Sequence, residues 1–301
     1  MLRFGVSAWA ADDATAWREA ARGYEAAGFE TLWVADHVGM LDPFTALVAA
    51  GAVTETMRLG TYVLNVEFWN PLLLARTAAT TDLLTDGRLI LGIGAGHAQV
   101  EFEQAGLRYP PARERVDRLV HTVPVLRRLL AGETVDEPAL DMVGAATGLP
   151  PARPPILVGG NGDRVLGVAA TEADIVGMTG FTSGTGRVHT NLSHWSWDGL
   201  AERLAHVRQA AGDRDRPLDV EVLVQRVAIT DNPTEAFAGF LSAGMTEDQL
   251  DSPFLLVGTE QAIVDQLTRL AELGVTGVTV FARDGNADRL APLIPHLRAQ
   301  A

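Results

Sequence analysis

The sequence predicts a closed parallel (β/α)8 TIM barrel, and three observations point to that fold. Apolar strand-like runs alternate eight times with helix-like segments through the 301 residues, with no sequence repeat. The segment Arg58–Gly96 reads as strand, helix and strand, a βαβ unit whose strands should lie parallel with a right-handed crossover. Long strands continue after residue 150 with no break in composition, which favours closure over the competing open doubly wound sheet. Residues 1–301 are therefore expected to form one domain, with an irregular lid insertion after the sixth strand.

The elements follow in order. Leu2–Ala10 alternates as a first strand, and Thr15–Ala27 is a helix ending near Gly28. Thr31–His37 is a second strand that finishes on a carboxylate and an imidazole. Asp42 caps a helix reaching about Thr54, with Pro43 in its first turn. Arg58–Val66 is a third strand rich in β-formers. Asn70 and Pro71 then open a helix in which Leu72, Ala75, Ala79 and Leu83 recur at helical spacing, and Gly87 suits its end. Leu89–Gly96 has no helical period and reads as a fourth strand covered on both faces.

Arg113–Ala131 is a long amphipathic helix, with Arg113, Arg115, Asp117 and Arg118 expected on a solvated face. Glu133–Pro155 is rich in Gly, Pro and Ala and could be mistaken for an interdomain linker. Ile156–Gly160 is the fifth strand, with a helix from about Asp163, and Ala173–Gly180 is the sixth. Phe181–Trp197 has no clear period and includes Trp195 and Trp197, which are expected to be buried against the rim or a ligand. Asp198–Ala211 is helical, Asp219–Thr230 is a long seventh strand carrying Gln225 and Arg226, and Thr234–Ala243 is helical. The run LLVGT precedes a helix over Glu260–Leu273, and Gly277–Ala282 is the eighth strand before a terminal helix.

Composition narrows the chemistry. A net charge of −14 without a basic run argues against nucleic acid or anionic membranes as main partners. No apolar segment approaches spanning length and no secretory pattern opens the chain, so a cytoplasmic protein is expected. There is no cysteine, which removes disulfides, iron–sulfur ligation and thiol nucleophiles. There is no lysine either: all 24 basic residues are arginine, which excludes an internal Schiff base.

In a barrel of this kind the site is built where strands end. Asp36 and His37 close the second strand, Asn65 and Glu67 follow the third, and His97 follows the fourth. A strand-end histidine is commonly structural, but two at one rim stand equally well as a proton-transfer pair. Asp36, His37, Glu67 and His97 lack any tight ligand spacing, so no metal centre is expected. Gly92, Gly94 and Gly96 leave one face of the fourth strand without side chains, which fits either a closely packed helix or a broad flat ligand. Gly159, Gly160, Asn161 and Gly162 precede a helix N-terminus and suit an anion, with Gly177, Thr179 and Gly180 expected beside them.

The patterns FETLWVADH, RLGTYVLNV, ARTAATTDLLTDGRLILGIGAGH, PPILVGGNG, ADIVGMTG and FLLVGTEQAIVDQL together resemble the luciferase-like flavin and deazaflavin oxidoreductases. The match runs through nearly the whole chain and is closest to compact members that use coenzyme F420. The resemblance implies a tricyclic ring in the barrel mouth and a phosphate near the fifth and sixth strands. It implies His37 and His97 as catalytic residues. Asp36, Tyr62, Val63, Asn65, Gly96, Val158, Gly159, Gly160, Asn161, Gly177, Thr179 and Gly180 are implied around the cofactor, with a Tyr62–Val63 peptide in the cis form. His97 stands where the sugar-phosphate dehydrogenases of the family carry glutamate, which with the missing lysine argues against a sugar phosphate.

The expected activity is hydride transfer between F420 and a small organic substrate, in a homodimer. Arg164 and Arg187 are candidates for holding the anionic F420 tail. The alternatives are an FMN-dependent monooxygenase served by a separate flavin reductase, and a flavin-binding protein without turnover.

Overall fold

The computed structural model describes residues 2–183, 190–238 and 245–299. Local signals set its elements. Strand β1 (Arg3–Ser7) precedes helix α1 (Ala14–Ala26), where Asp13 accepts from the amides of Thr15 and Ala16. Strand β2 (Thr31–Val34) leads to α2 (Pro43–Gly51), capped by Asp42. Strands β3 (Arg58–Thr61) and β4 (Leu64–Asn65) are two parts of one barrel strand, and α3 (Pro71–Leu84) follows the Asn70 cap. Next come β5 (Leu89–Gly94), α4 (Gln99–Gln104), α5 (Ala112–Leu130), and the hairpin of β6 (Val135–Glu137) and β7 (Met142–Ala145).

The second half contains β8 (Ile156–Gly159), α6 (Asp163–Glu172), β9 (Ile175–Met178), and the paired short strands β10 (Thr182–Ser183) and β11 (Thr190–Asn191). Then follow α7 (Trp197–Ala211), β12 (Asp219–Val224), β13 (Arg226–Ile229), α8 (Pro233–Ala236) and β14 (Leu255–Gly258). Helix α9 (Glu260–Glu272), β15 (Gly277–Phe281), α10 (Asn286–Leu290) and α11 (Ile294–Ala299) complete the order.

The main sheet runs β3-β2-β1-β15-β12-β9-β8-β5-β4, and pairing of β3 with β5 closes it. Every ladder in it is parallel. With β3 and β4 counted as one interrupted strand, this is the eight-stranded barrel expected from the sequence. Alternation along each strand divides the apolar residues into two populations. Trp33, Tyr62, Ile90, Leu157, Ile175 and Leu223 form a separate cluster filling the lumen. Their neighbours Leu32, Val34, Leu91, Val158, Val176 and Val222 join the larger core beneath the helices. Each such side chain contributes roughly 1.5–3 kcal/mol by leaving water.

Three local expectations change, and one linker-like segment is structured. The linker-like Glu133–Pro155 contains the β6–β7 hairpin, whose Val135 and Met142 pack into the main core. The long seventh strand breaks at Gln225: β12 stays in the barrel, while β13 pairs with β14 in a separate parallel ladder. Phe181–Trp197 is not wholly irregular, since it includes β10 and β11, and Trp197 starts α7. The helix expected over Thr234–Ala243 is interrupted, since α8 ends at Ala236 with Phe237 as its cap, and residues 239–244 lie outside the described residues.

Candidate active site

The site is built on an irregularity in the third barrel strand. Between Gly60↔Ile90 and Leu64↔Ile93, β3–β4 advances four residues while β5 advances three. The Tyr62–Val63 peptide inside this bulge is cis. The Thr61 hydroxyl replaces the missing ladder, donating to Gly92 O at 2.7 Å and accepting from Gly92 N at 2.8 Å. A Cβ on Gly92 would lie 1.8 Å from Thr61 O, and one on Gly94 would lie 2.8 Å from Val63 Cγ2. The bare face of β5 is therefore covered by the bulge of its neighbouring strand, neither by a helix nor directly by a ligand.

The bulge divides the roles of two adjacent residues. The Tyr62 side chain is buried in the lumen, where its hydroxyl donates weakly to Glu221 O at 3.3 Å. Its pKa is pushed well up by burial. Val63 stays half-buried, against the positions on β5 and β8 where Gly94 and Gly159 have no side chain. It forms a small apolar floor at the C-terminal mouth.

Around that floor, strand ends are tied together. Asp36 Oδ2 accepts from Trp69 Nε1 at 2.9 Å and from Asn65 N at 3.2 Å, joining the end of β2 to the end of β4. Burial raises the Asp36 pKa, an effect opposed by these two donors. Asn65 is buried, and its Oδ1 accepts from Glu67 N at 3.1 Å. Asn161 Nδ2 donates to Phe181 O at 2.5 Å and Thr179 Oγ1 at 3.1 Å, linking the ends of β8 and β9.

His37 and His97 do meet. Their rings lie 5.9 Å apart at 86°. His37 Nδ1 is 2.6 Å from Glu101 Oε1 on α4, a short charge-assisted contact. When Glu101 is ionised and accepts the Nδ1 proton, the neutral His37 ring keeps Nε2 as its free acceptor. His97 reaches solvent through the mouth, yet desolvation lowers its pKa, and His37 lowers it further. His97 is thus neutral over a wider pH range than an ordinary histidine.

Over residues 3–244 the chain matches the family described as luciferase-like monooxygenase. The chain belongs to that family. It is 24% identical over 291 residues to the 5,10-methylenetetrahydromethanopterin reductase of Archaeoglobus fulgidus, covering 84% of this chain and 85% of that protein. To the F420-dependent glucose-6-phosphate dehydrogenase of Amycolatopsis mediterranei it is 27% identical over 214 residues, 67% of this chain and 63% of the relative. The coenzyme F420 dependent tetrahydromethanopterin reductase from Methanopyrus kandleri shares the fold, with a TM-score of 0.77 at 18% identity over 98% of this chain and 99% of that one.

Within this luciferase-like barrel, several expected site residues have other work. The Val158 side chain lies in the outer core, so only its backbone faces the mouth. A Cβ on Gly177 would meet the Tyr62 ring at 2.6 Å, and one on Gly180 would meet the Phe254 ring at 2.2 Å. Those two glycines make room for aromatic packing, just as Gly159 and Gly160 make room for Val63 and Val165 at 2.8 and 2.7 Å. Open space is found at the start of α6, where Gly162 brings no side-chain cap and a Cβ on it would meet nothing. The Asp163 carboxylate in that first turn is paired with Arg203, which also lowers its pKa.

The solvated face expected on α5 is largely engaged. Arg115 is buried, donates through Nε to Gly96 O at 3.0 Å and stacks over the Tyr109 ring at 4.3 Å. Tyr109 in turn donates to His97 O at 3.2 Å. Arg118 holds Val66 O and Trp69 O at 3.1 and 2.8 Å. Arg164 pairs with Asp117 at 2.5 Å, and Arg187 lies outside the described residues. Trp195 and Trp197 are buried, donating to Gln249 O and Asp251 Oδ1.

Sequence reading missed Glu101, Trp69, Tyr109 and Arg115 as site residues. No local signal pointed to Glu101, because its partner His37 lies 64 residues away. Among the described residues, no group of three or more His, Asp or Glu side chains is arranged to hold a metal ion.

Proposed function

We propose that this protein is a coenzyme F420-dependent oxidoreductase that exchanges a hydride with a small, uncharged organic substrate, the whole of residues 1–301 acting as one unit. The observation that carries the reading is the juxtaposition of the His37–Glu101–His97 cluster with the Val63 floor and the glycine-framed start of α6. Its family membership and its F420-dependent relatives support the same reading.

The residues present fit the coenzyme. Val63, Asn65, Gly96 and Asp36 would hold the ring, and Gly159, Gly160, Asn161 and the first amides of α6 the phosphate, with Thr179 beside them. When bound, the deazaflavin supplies a two-electron hydride donor or acceptor. Glu101 orients His37 and fixes its tautomer, so that Nε2 can take the proton of a substrate hydroxyl, or return it in the reducing direction. His97, neutral and adjacent, shares the mouth and can relay that proton to solvent. Arg115 and Arg118 are bonded to backbone carbonyls, so neither is free to grip a substrate phosphate, which supports an uncharged substrate.

A cytoplasmic homodimer fits this role. Leu73, Leu83 and Leu84 are exposed along α3 and support self-association, and no described helix is long and apolar enough to cross a membrane. Light scattering of the purified protein tests the dimer.

Fluorescence titration with F420 and with FMN at two ionic strengths tests the cofactor. Tighter F420 binding that weakens more with salt is the expected result. FMN binding without F420 binding would overturn it in favour of the family's monooxygenase chemistry, fed by a separate reductase. Binding of either cofactor without turnover across alcohol, ketone, imine and alkene panels would leave only a binding protein.

A further inference from the structure

The opposite end of the barrel carries a second arrangement that the hydride-transfer reading does not use. A cavity of about 560 Å³ lies where several strands begin, lined by Arg58 at the start of β3, Arg153 ahead of β8 and Arg216 ahead of β12. Arg127 and Arg128 also line it, together with three carboxylates. Those carboxylates are already held: Asp174 by Arg127 at 2.8 Å, Glu133 by Arg128 at 2.9 Å and Asp219 by Arg3 at 2.7 Å.

The guanidinium groups of Arg58, Arg153 and Arg216 have no such partner. Among the described residues, six arginine side chains lack a hydrogen bond, an ion pair and an aromatic ring: Arg18, Arg22, Arg58, Arg76, Arg153 and Arg216. Half of them therefore converge on one cavity, in a chain whose net charge is −14. Arg58 is the informative member. It is half-buried, so its charge has lost water while no carboxylate bonds to it directly; Asp219 and Asp82 attract it without forming an ion pair, which leaves its N–H donors open to an anion. Desolvation, and after it the neighbouring Arg3 charge, act against its protonated form, opposed by Asp219 and Asp82. Pro154, Pro155 and Pro217 restrain the walls, so the three charges are presented on stiff backbone.

We propose that this cavity is a binding site for a small oligoanion bearing phosphate or carboxylate groups, held by Arg58, Arg153 and Arg216. Planar guanidinium groups match both anion types with paired N–H donors, and the cavity has room for more than one anionic group. The site is at the far end of the barrel from His37, so it stands or falls independently of the coenzyme assignment.

Calorimetric titration of the full chain with inorganic pyrophosphate, and separately with citrate, at constant ionic strength tests the site. Saturable binding is expected, and the stronger probe identifies the preferred anion. Arg153→Gln combined with Arg216→Gln alters two exposed side chains that make no hydrogen bond or ion pair among the described residues, so folding should survive. It should weaken binding by about tenfold or more. Arg18→Gln with Arg22→Gln changes the net charge equally on α1 and should leave binding intact. No saturable binding of either probe, or equal weakening by both double variants, would overturn the proposal.

Discussion

The two ends of the barrel treat the same residue type in opposite ways. At the C-terminal mouth, Arg115 and Arg118 are bonded to the carbonyls of Gly96, Val66 and Trp69 and hold the loops around His97 in place. At the N-terminal end, the side chains of Arg58, Arg153 and Arg216 make no hydrogen bond or ion pair among the described residues. The contrast teaches that arginine count says little about anion binding. A guanidinium already shared among carbonyls is scaffold, whereas one left half-buried and unpaired has its donors available. Carboxylates divide in a similar way. Glu101 at the mouth is paired with an imidazole, while Glu221, deep in the lumen, accepts a hydrogen bond from the Thr279 hydroxyl at 2.6 Å.

The largest expected effect would break the mouth. His37→Ala should lower kcat by about 10²–10⁴-fold with little change in coenzyme affinity, because it removes the proposed proton carrier and leaves the floor intact. Stopped-flow turnover and a cofactor titration on the same variant check this, and near-normal turnover would move the role to His97 or water.

Next in size is a test of the lumen. Burial raises the Glu221 pKa from 4.5 to about 7, opposed mainly by the Thr279 hydrogen bond. The native state thus keeps a proton that the unfolded chain releases. Stability should fall as pH rises from about 4.5 to about 7, by about 3 kcal/mol in all, and level off above that. Glu221→Gln should abolish this slope and make the protein more stable than its parent at about pH 8, as read from denaturant midpoints.

A smaller effect is expected from Glu101→Gln, which keeps the shape but removes the charge facing His37. Loss of one charge-assisted hydrogen bond, about 1.5–3 kcal/mol, should lower kcat by about ten- to a hundredfold with KM nearly unchanged. A matching rise in KM with constant kcat would show that Glu101 holds substrate rather than His37. Smallest of all, Arg153→Gln with Arg216→Gln should shift unfolding by less than about 0.5 kcal/mol without added anion. If it destabilises strongly under those conditions, the arginines serve the fold and not a ligand.

Sequence alone determined whatever depends on local spacing and residue chemistry. Caps such as Asp13, Asp42 and Asn70 with their following helices, the alternation of strand and helix, and the placement of Asp36, His37 and His97 at strand ends were all legible. So were the missing lysine and cysteine chemistries, because a residue type that is absent cannot be supplied by folding. Tertiary structure decided which surfaces those elements share. Gly92, Gly177 and Gly180 look alike as glycines in strands, but only the closed barrel shows that the first admits Thr61 O and the others admit the Tyr62 and Phe254 rings. The charged face read on α5 was a reasonable inference from periodicity, yet Arg115 and Arg118 reach carbonyls 19 and 52 residues away. Likewise, Glu101 meets His37 across 64 residues. Such partners are set by how the chain closes on itself, through contacts between residues far apart in sequence, and no local pattern encodes them.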